Sequence, residues 1–207
     1  MKTIQTLITS LVFMSLPLVA IAADEVNPAL PLEQQTQEVL NQLSANDGAI
    51  KNEPEALNNL VNRMVLPIID FEAMSKLTLS KHWKKASKEK RAEFVDAYKG
   101  LLARTYTKSL TDFAGEKIVY YPDRTKIDGK YAKVYSDFVQ ADGVSTHEVR
   151  YEMRMKNGEW LVYDVVIEGL SFIKNYRTSF SKEIKEKGLD ALIARLRADD
   201  VKAATGS

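Results

Sequence analysis

Hydrophobic positions change period near the middle of the chain, from helical spacing before it to strict alternation after it. Leu32, Val39, Leu40 and Leu43 share one face, which predicts a first helix over Leu32–Leu43, ended by Asn46-Asp47-Gly48. Pro54 suits the first turn of a second helix, along which Leu57, Leu60, Val61, Met64 and Val65 follow the i, i+3, i+4, i+7, i+8 pattern. Pro67 closes it, because a proline disfavours a helical residue before it. A third helix starts near Asp70 with Phe71, Met74 and Leu77; a polar Thr78–Ser80 break precedes Trp83. Ser87 is placed to cap the strongest helix, where Phe94, Tyr98, Leu101, Leu102, Thr105 and Tyr106 form one stripe. Lys88, Lys90, Arg91, Glu93 and Asp96 lie opposite, and Gly115 closes the helical half.

Period two then takes over. The expected strands are Lys117–Tyr121, Tyr131–Val139, Thr146–Lys156 and Trp160–Ile167, with turns at Asp128-Gly129, Asp142-Gly143 and Asn157-Gly158. Asn-Gly between two alternating runs is the strongest hairpin signal of the three. In the third strand Val149, Tyr151, Met153 and Met155 alternate with Glu148, Arg150, Glu152 and Arg154, so one face is covered and one is wet. The fourth is apolar on both faces apart from Asp164, which predicts a central position. After Glu168-Gly169 comes a helix over Ser171–Lys187, with Phe172, Tyr176, Phe180 and Ile184 four apart and Gly188 just past its end. A last helix carries Leu189, Leu192, Ile193 and Leu196, and Ala198–Ser207 is expected to be disordered. The fold class is α+β: a four-stranded antiparallel sheet packed against several helices on one face. A strand feeding directly into an apolar-striped helix, as over Glu159–Phe180, lines a cavity on two sides.

The N-terminus changes the picture of compartment. Lys2 precedes an apolar run over Leu7–Ile21, and Ala20-Ile21-Ala22 has the small-x-small cleavage pattern. Residues 1–22 are therefore expected to be a cleaved export signal, a retained membrane anchor being the alternative. A flexible lead-in over Asp24–Pro31 opens a single domain reaching residue 197. The whole chain of 207 residues is 45% hydrophobic and 28% charged with a net charge of +1, which gives no global pull towards nucleic acid. It has no cysteine, so disulfides, thiolate metal sites and a lipoprotein anchor are excluded.

Chemistry is sparse. Gly169-Leu170-Ser171 is half of a nucleophile elbow, and His82 and His147 are the sole histidines to serve a serine or a metal. Ser171 reads better as the cap of the following helix. No HExxH, P-loop or dinucleotide-binding glycine pattern occurs. Asp164 could act as the base of an isomerase-like cavity, or pair with a helix N-terminus or with Arg177. Lys81–Arg91 gathers six basic residues around Trp83, which reads as a solvated face or as a docking patch made by Lys81, Lys84, Lys85 and Arg91. What stands out is apolar surplus: a sheet face with Val149, Tyr151, Met153 and Met155, and separate helical stripes with Met64, Met74, Tyr98, Leu102, Tyr106 and Tyr176.

Leu66-Pro67-Ile68-Ile69-Asp70-Phe71, Leu79-Ser80-Lys81-His82-Trp83 and the long block Trp160–Phe180 resemble motifs of the toluene-tolerance family of periplasmic phospholipid-binding proteins. Gly188–Ile193 matches that family's closing helix, and Ser80 departs from it where glycine is usual. The resemblance implies a monomeric periplasmic carrier with a twisted sheet wrapped by helices, a diacyl phospholipid as cargo, and neither cofactor nor catalytic residue. It also implies transient docking on an outer-membrane lipoprotein with its porin, and on an inner-membrane ABC transporter complex bearing an MCE-domain ring, with no nucleic acid partner. An adaptor without ligand is the remaining alternative. The expected lipid-binding residues are Met74, Leu77, Tyr98, Leu102 and Tyr106 from helices, and Val149, Tyr151, Met153, Val165 and Ile167 from strands. Phe172 and Tyr176 complete that set from the helix after the sheet.

Overall fold

A computed structural model of the chain describes residues 27–45, 53–112, 117–140 and 142–205. The expected export signal and the turns at Asn46 and Gly115 lie outside them. Seven helices are described: α1 (Ala29–Ser44), α2 (Pro54–Leu60), α3 (Phe71–Leu79), α4 (Lys81–Lys85), α5 (Lys88–Asp112), α6 (Phe172–Lys187) and α7 (Leu189–Thr205). Helix α1 begins three residues earlier than expected, and Pro31 sits in its first turn, where no backbone donor is needed. Residues 198–205 continue α7 and are helical rather than disordered; Ala198, Lys202, Ala203 and Ala204 are all strong helix formers.

The four expected strands are present as β1 (Lys117–Tyr120), β3 (Tyr131–Val139), β4 (Thr146–Lys156) and β5 (Glu159–Ile167). Two short ones join them, β2 (Lys126–Asp128) and β6 (Leu170–Ser171), giving six strands where four were expected. All pair antiparallel in the order β1-β3-β4-β5-β6, and β2 continues the β1 edge along β3 after the Pro122 turn. Segments of two or three residues are too short for alternation to reveal. The β4–β5 turn is closed by Asn157 at φ 54° and Gly158 at φ 88°, the left-handed pair that the tightest hairpin demands.

A β-bulge decides which side chains look inward. Glu152 pairs with Asp164 but Met153 pairs with Val162, so Tyr163 is an extra residue on β5. Beyond it Val165 and Ile167 share a face with Tyr151 and Val149, while Asp164 and Val166 turn to the face of Glu152 and Arg150. β5 is not central as expected. Two residues of β6 cover one end of its outer edge, and elsewhere Ile69 bridges to Val162 and the Asp70 N–H donates to the Val162 carbonyl at 2.8 Å. The helices wrap round that edge onto both faces. Leu32, Val39, Leu40 and Ile68 approach the Tyr151 face, and Leu77, Ile173, Lys174 and Arg177 the Asp164 face.

The core has three parts: a large one among α3–α7 with Val61 and Leu66 ahead of them, one between α1 and the sheet, and one between α1 and α2. In the first, Phe94, Tyr98, Tyr176 and Phe180 pack ring to ring with centroids 5.3–5.9 Å apart. Ser80 ends α3 at φ 50°, a left-handed conformation that glycine would adopt without steric cost.

Asp70 ties the two halves together. It is 3% exposed, caps α3 by accepting from the Ala73 N–H at 3.0 Å, and is gripped by the Arg154 guanidinium, whose Nε donates at 2.5 Å, with Lys156 Nζ at 3.6 Å. Burial pushes its pKa up, but the Ala73 amide and the two cations outweigh burial and hold it below the usual value. Because the folded pKa lies below the unfolded one of about 3.9, this contribution is present above pH ~4 and is lost as pH falls through the folded pKa. Asp70→Asn keeps a capping side chain but not the charge. The thermal midpoint of the native protein should therefore fall more steeply than that of Asp70→Asn between pH 5 and 3; parallel curves would remove Asp70 from the acid response.

Candidate functional site

The seam between helices and sheet is built by an irregular stretch. Pro67 has no N–H to continue a helix, and its ring would strike the carbonyl four residues back. The chain responds with a π turn over Val61–Val65, in which the Leu66 N–H bonds the Val61 carbonyl, then a 3₁₀ turn over Leu66–Ile68. Ile69 is extended and bridges to Val162 of β5. This stretch runs along the interior and separates two apolar cavities.

The larger, of about 230 Å³, lies between α1, the irregular stretch and the sheet. Leu32, Gln35, Thr36, Val39 and Leu40 of α1 roof it; Met64, Val65, Ile68 and Ile69 form a side; Ile118, Phe138, Tyr151, Val162 and Val165 form the floor. The smaller, of about 120 Å³, is lined by Val61, Val65, Leu66, Ile69, Phe71, Met74, Leu102, Ala103, Tyr106, Thr107, Val165 and Phe172. Its wall is completed by Tyr106 stacked on Phe172 with ring centroids 4.6 Å apart. Polar atoms near the larger cavity are engaged with each other or with backbone. Gln35 Nε2 donates to the Met64 carbonyl at 3.0 Å, Thr36 Oγ1 and Tyr120 Oη share a 2.8 Å hydrogen bond, and Tyr120 donates to Tyr151 Oη at 3.5 Å. Burial pushes the Tyr120 and Tyr151 hydroxyls above the ordinary phenol range, so both are neutral at physiological pH. The site offers apolar surface and no charge.

Of the residues named from sequence, Met74, Leu102, Tyr106, Val165 and Phe172 line the smaller cavity, and Tyr151 and Val165 the larger. The others lie outside both cavities. Tyr98 and Tyr176 belong to the aromatic cluster of the helical core. Met153 is packed between α1 and the sheet, and Val149 is buried at 3% exposure. Ile167 is 37% exposed at the end of β5, and Leu77 is 39% exposed beside the polar face. Sequence reasoning missed the α1 roof, Val65 and Ile69, Ile118 and Phe138. The unmatched apolar stripe of the first helix was the available signal for the roof.

Asp164 and Ser171 serve the start of α6. The Ser171 hydroxyl donates to Asp164 Oδ2 at 2.5 Å and accepts from the Lys174 N–H at 3.1 Å, while Asp164 Oδ1 accepts from the Ile173 N–H at 3.1 Å. Burial raises the Asp164 pKa, and the hydrogen bonds from Ser171, Ile173 and Val165 oppose it. Neither histidine approaches this pair: His82 Nε2 bonds Ser181 Oγ at 3.2 Å, and His147 sits beside Gln140 and Glu168. Among the described residues no group of three or more histidine, aspartate or glutamate side chains could hold a metal.

The basic segment divides in two. Arg91 is fixed, its Nε donating to the Trp83 carbonyl at 2.9 Å and its guanidinium lying 5.3 Å from the Trp83 ring centre. With Lys76, Lys88 and Lys99 it lines an open groove of about 760 Å³. Lys81, Lys84 and Lys85 are exposed on α4. Burial lowers the His82 pKa, and Lys81, Lys85 and Lys185 lower it further.

Comparison with known proteins agrees with this architecture. The intermembrane phospholipid transport system binding protein MlaC of Haemophilus influenzae is 26% identical over 178 residues, covering 85% of this chain and 83% of that protein. The toluene tolerance protein ttg2D of Pseudomonas putida is 29% identical over 175 residues, covering 84% and 80%. A solved phospholipid-binding protein from Ralstonia solanacearum, determined in complex with a phospholipid, shares the fold with a TM-score of 0.76 at 22% identity, over 86% of this chain and 99% of that one. The model of the MlaC protein family matches residues 33–198, from the α1 roof to α7. By that span the chain belongs to the MlaC family.

Proposed function

We propose that this chain is a periplasmic phospholipid carrier that holds the acyl chains of one lipid in the two cavities between helices and sheet. The observation that carries the reading is the pair of adjoining apolar cavities with no charged residue in their walls. Exposing two long acyl chains to water costs roughly 20 kcal/mol or more at ~0.8 kcal/mol per methylene, so unassisted passage of monomeric lipid through water is negligible. A protein that encloses the tails removes this barrier without covalent chemistry. Consistent with that, Asp164 and Ser171 are occupied in capping α6. Among the described residues no helix is long and apolar enough to cross a membrane.

In this reading residues 1–22 direct export and are removed, and the mature monomer exchanges lipid between membranes to maintain outer-membrane lipid asymmetry. Its partners are the outer-membrane lipoprotein MlaA with a porin and the inner-membrane ABC transporter complex, met through MlaD. Lys81, Lys84 and Lys85, with the groove that Arg91 shares, supply a positive surface for such docking. The protein should speed transfer of a fluorescent phospholipid from donor to acceptor vesicles in proportion to its concentration. A transfer rate equal to that of vesicles alone would count against carriage.

A further inference from the structure

The two cavities have three residues in common: Val65, Ile69 and Val165 appear in the wall of each. The partition between them is thus one side chain thick and made of β-branched residues, whose χ1 angles are stiff. It is contributed from opposite sides, Val165 by β5 and the other two by the π-turn stretch, which the Ile69–Val162 bridge holds against β5. Each compartment, of about 120 and 230 Å³, falls below the ~300 Å³ at which ordinary ligand pockets begin, so neither holds a whole two-tailed molecule and each receives a segment of one slender chain. Their linings also differ. The smaller is closed by the Tyr106–Phe172 stack and by α5, while the larger is roofed by α1 alone.

We propose that Val65, Ile69 and Val165 form a septum that sorts the two acyl chains of a phospholipid into separate compartments, one chain in each. The inference rests on the carrier reading above and adds the assignment of chains to subsites. The partition makes the protein selective for two slender tails and excludes any chain bearing a bulky group that would need the merged volume.

Ala103 on α5 lines the smaller compartment and not the larger, so Ala103→Phe fills one subsite alone. Native and variant proteins are incubated with vesicles of palmitoyl-oleoyl phosphatidylglycerol, or with single-chain lysophosphatidylglycerol, and bound lipid is read by native mass spectrometry. Overpacking of this kind should lower diacyl occupancy about tenfold and leave lysolipid occupancy within about twofold of the native protein. Equal loss of both lipids, or unchanged diacyl binding, would overturn the septum. A melting curve shows whether Ala103→Phe is folded, and Ile69→Ala gives an independent arm. Opening the partition should raise uptake of a phosphatidylcholine carrying a pyrene-decanoyl chain about tenfold, whereas no gain would again overturn it. Native protein that takes up neither diacyl nor single-chain lipid would instead overturn the carrier reading, and the septum with it.

Discussion

Val165→Asp should yield a folded protein stripped of its lipid. Val165 looks into both cavities from β5, opposite Tyr151 on β4. An aspartate there is too short to carry its charge out to solvent, and no cation lines either cavity to pair with it. With lipid bound, the carboxylate would be sealed against acyl chains, at a cost of several kcal/mol for an uncompensated charge. At 1.4 kcal/mol per factor of ten, occupancy should fall by roughly a hundredfold or more. Without lipid the same group draws water into the cavity, so the cost to folding is smaller, about 1–3 kcal/mol. Occupancy by native mass spectrometry and a thermal melt separate the two effects. A stable, fully loaded Val165→Asp protein would mean that the tails lie elsewhere.

Tyr98→Ala should show the opposite signature, a large loss of stability with no selective loss of cargo. The ring is fully buried and meets Phe94, Tyr176 and Phe180 at centroid distances of 5.5, 5.4 and 5.6 Å. Removing an aromatic ring from such a core costs about 3–5 kcal/mol, because rings held between two packed helices, α5 and α6, collapse poorly around the void. Urea denaturation should show that loss as a lower midpoint with an unchanged slope. Any remaining folded fraction should carry lipid at the native ratio. If Tyr98→Ala were as stable as the native protein but empty, Tyr98 would be a cavity wall, as its stripe alone suggests.

These two residues show what periodicity can and cannot report. Tyr98 and Leu102 lie four apart on one helix, and their spacing marks both as buried. Spacing does not say whether the space beyond a buried side chain holds other atoms or a void, and Leu102 faces a cavity whereas Tyr98 faces rings. Helices and long strands were legible because their apolar positions repeat over many residues. The extra residue at Tyr163 was not, since a bulge leaves the composition of β5 unchanged while shifting Val165 relative to Met153. Nor was the α1 roof, which an isolated stripe cannot assign to a partner. Leu77 illustrates the reverse error: its place on an apolar stripe suggests burial, yet the α3 end turns it to the polar face, where its carbonyl accepts from Arg177 at 2.9 Å. Ser80 is a different case. Its departure from glycine is visible in the sequence, but the left-handed backbone that gives it meaning emerges from the structure.

The claim that the interior is a lipid site can be put to native mass spectrometry of the protein purified from bacterial cells without detergent. The predicted spectrum carries an added mass matching a diacyl phospholipid, recovered as such by solvent extraction. A spectrum of bare protein, with purified phospholipid vesicles also failing to load it, would contradict that claim.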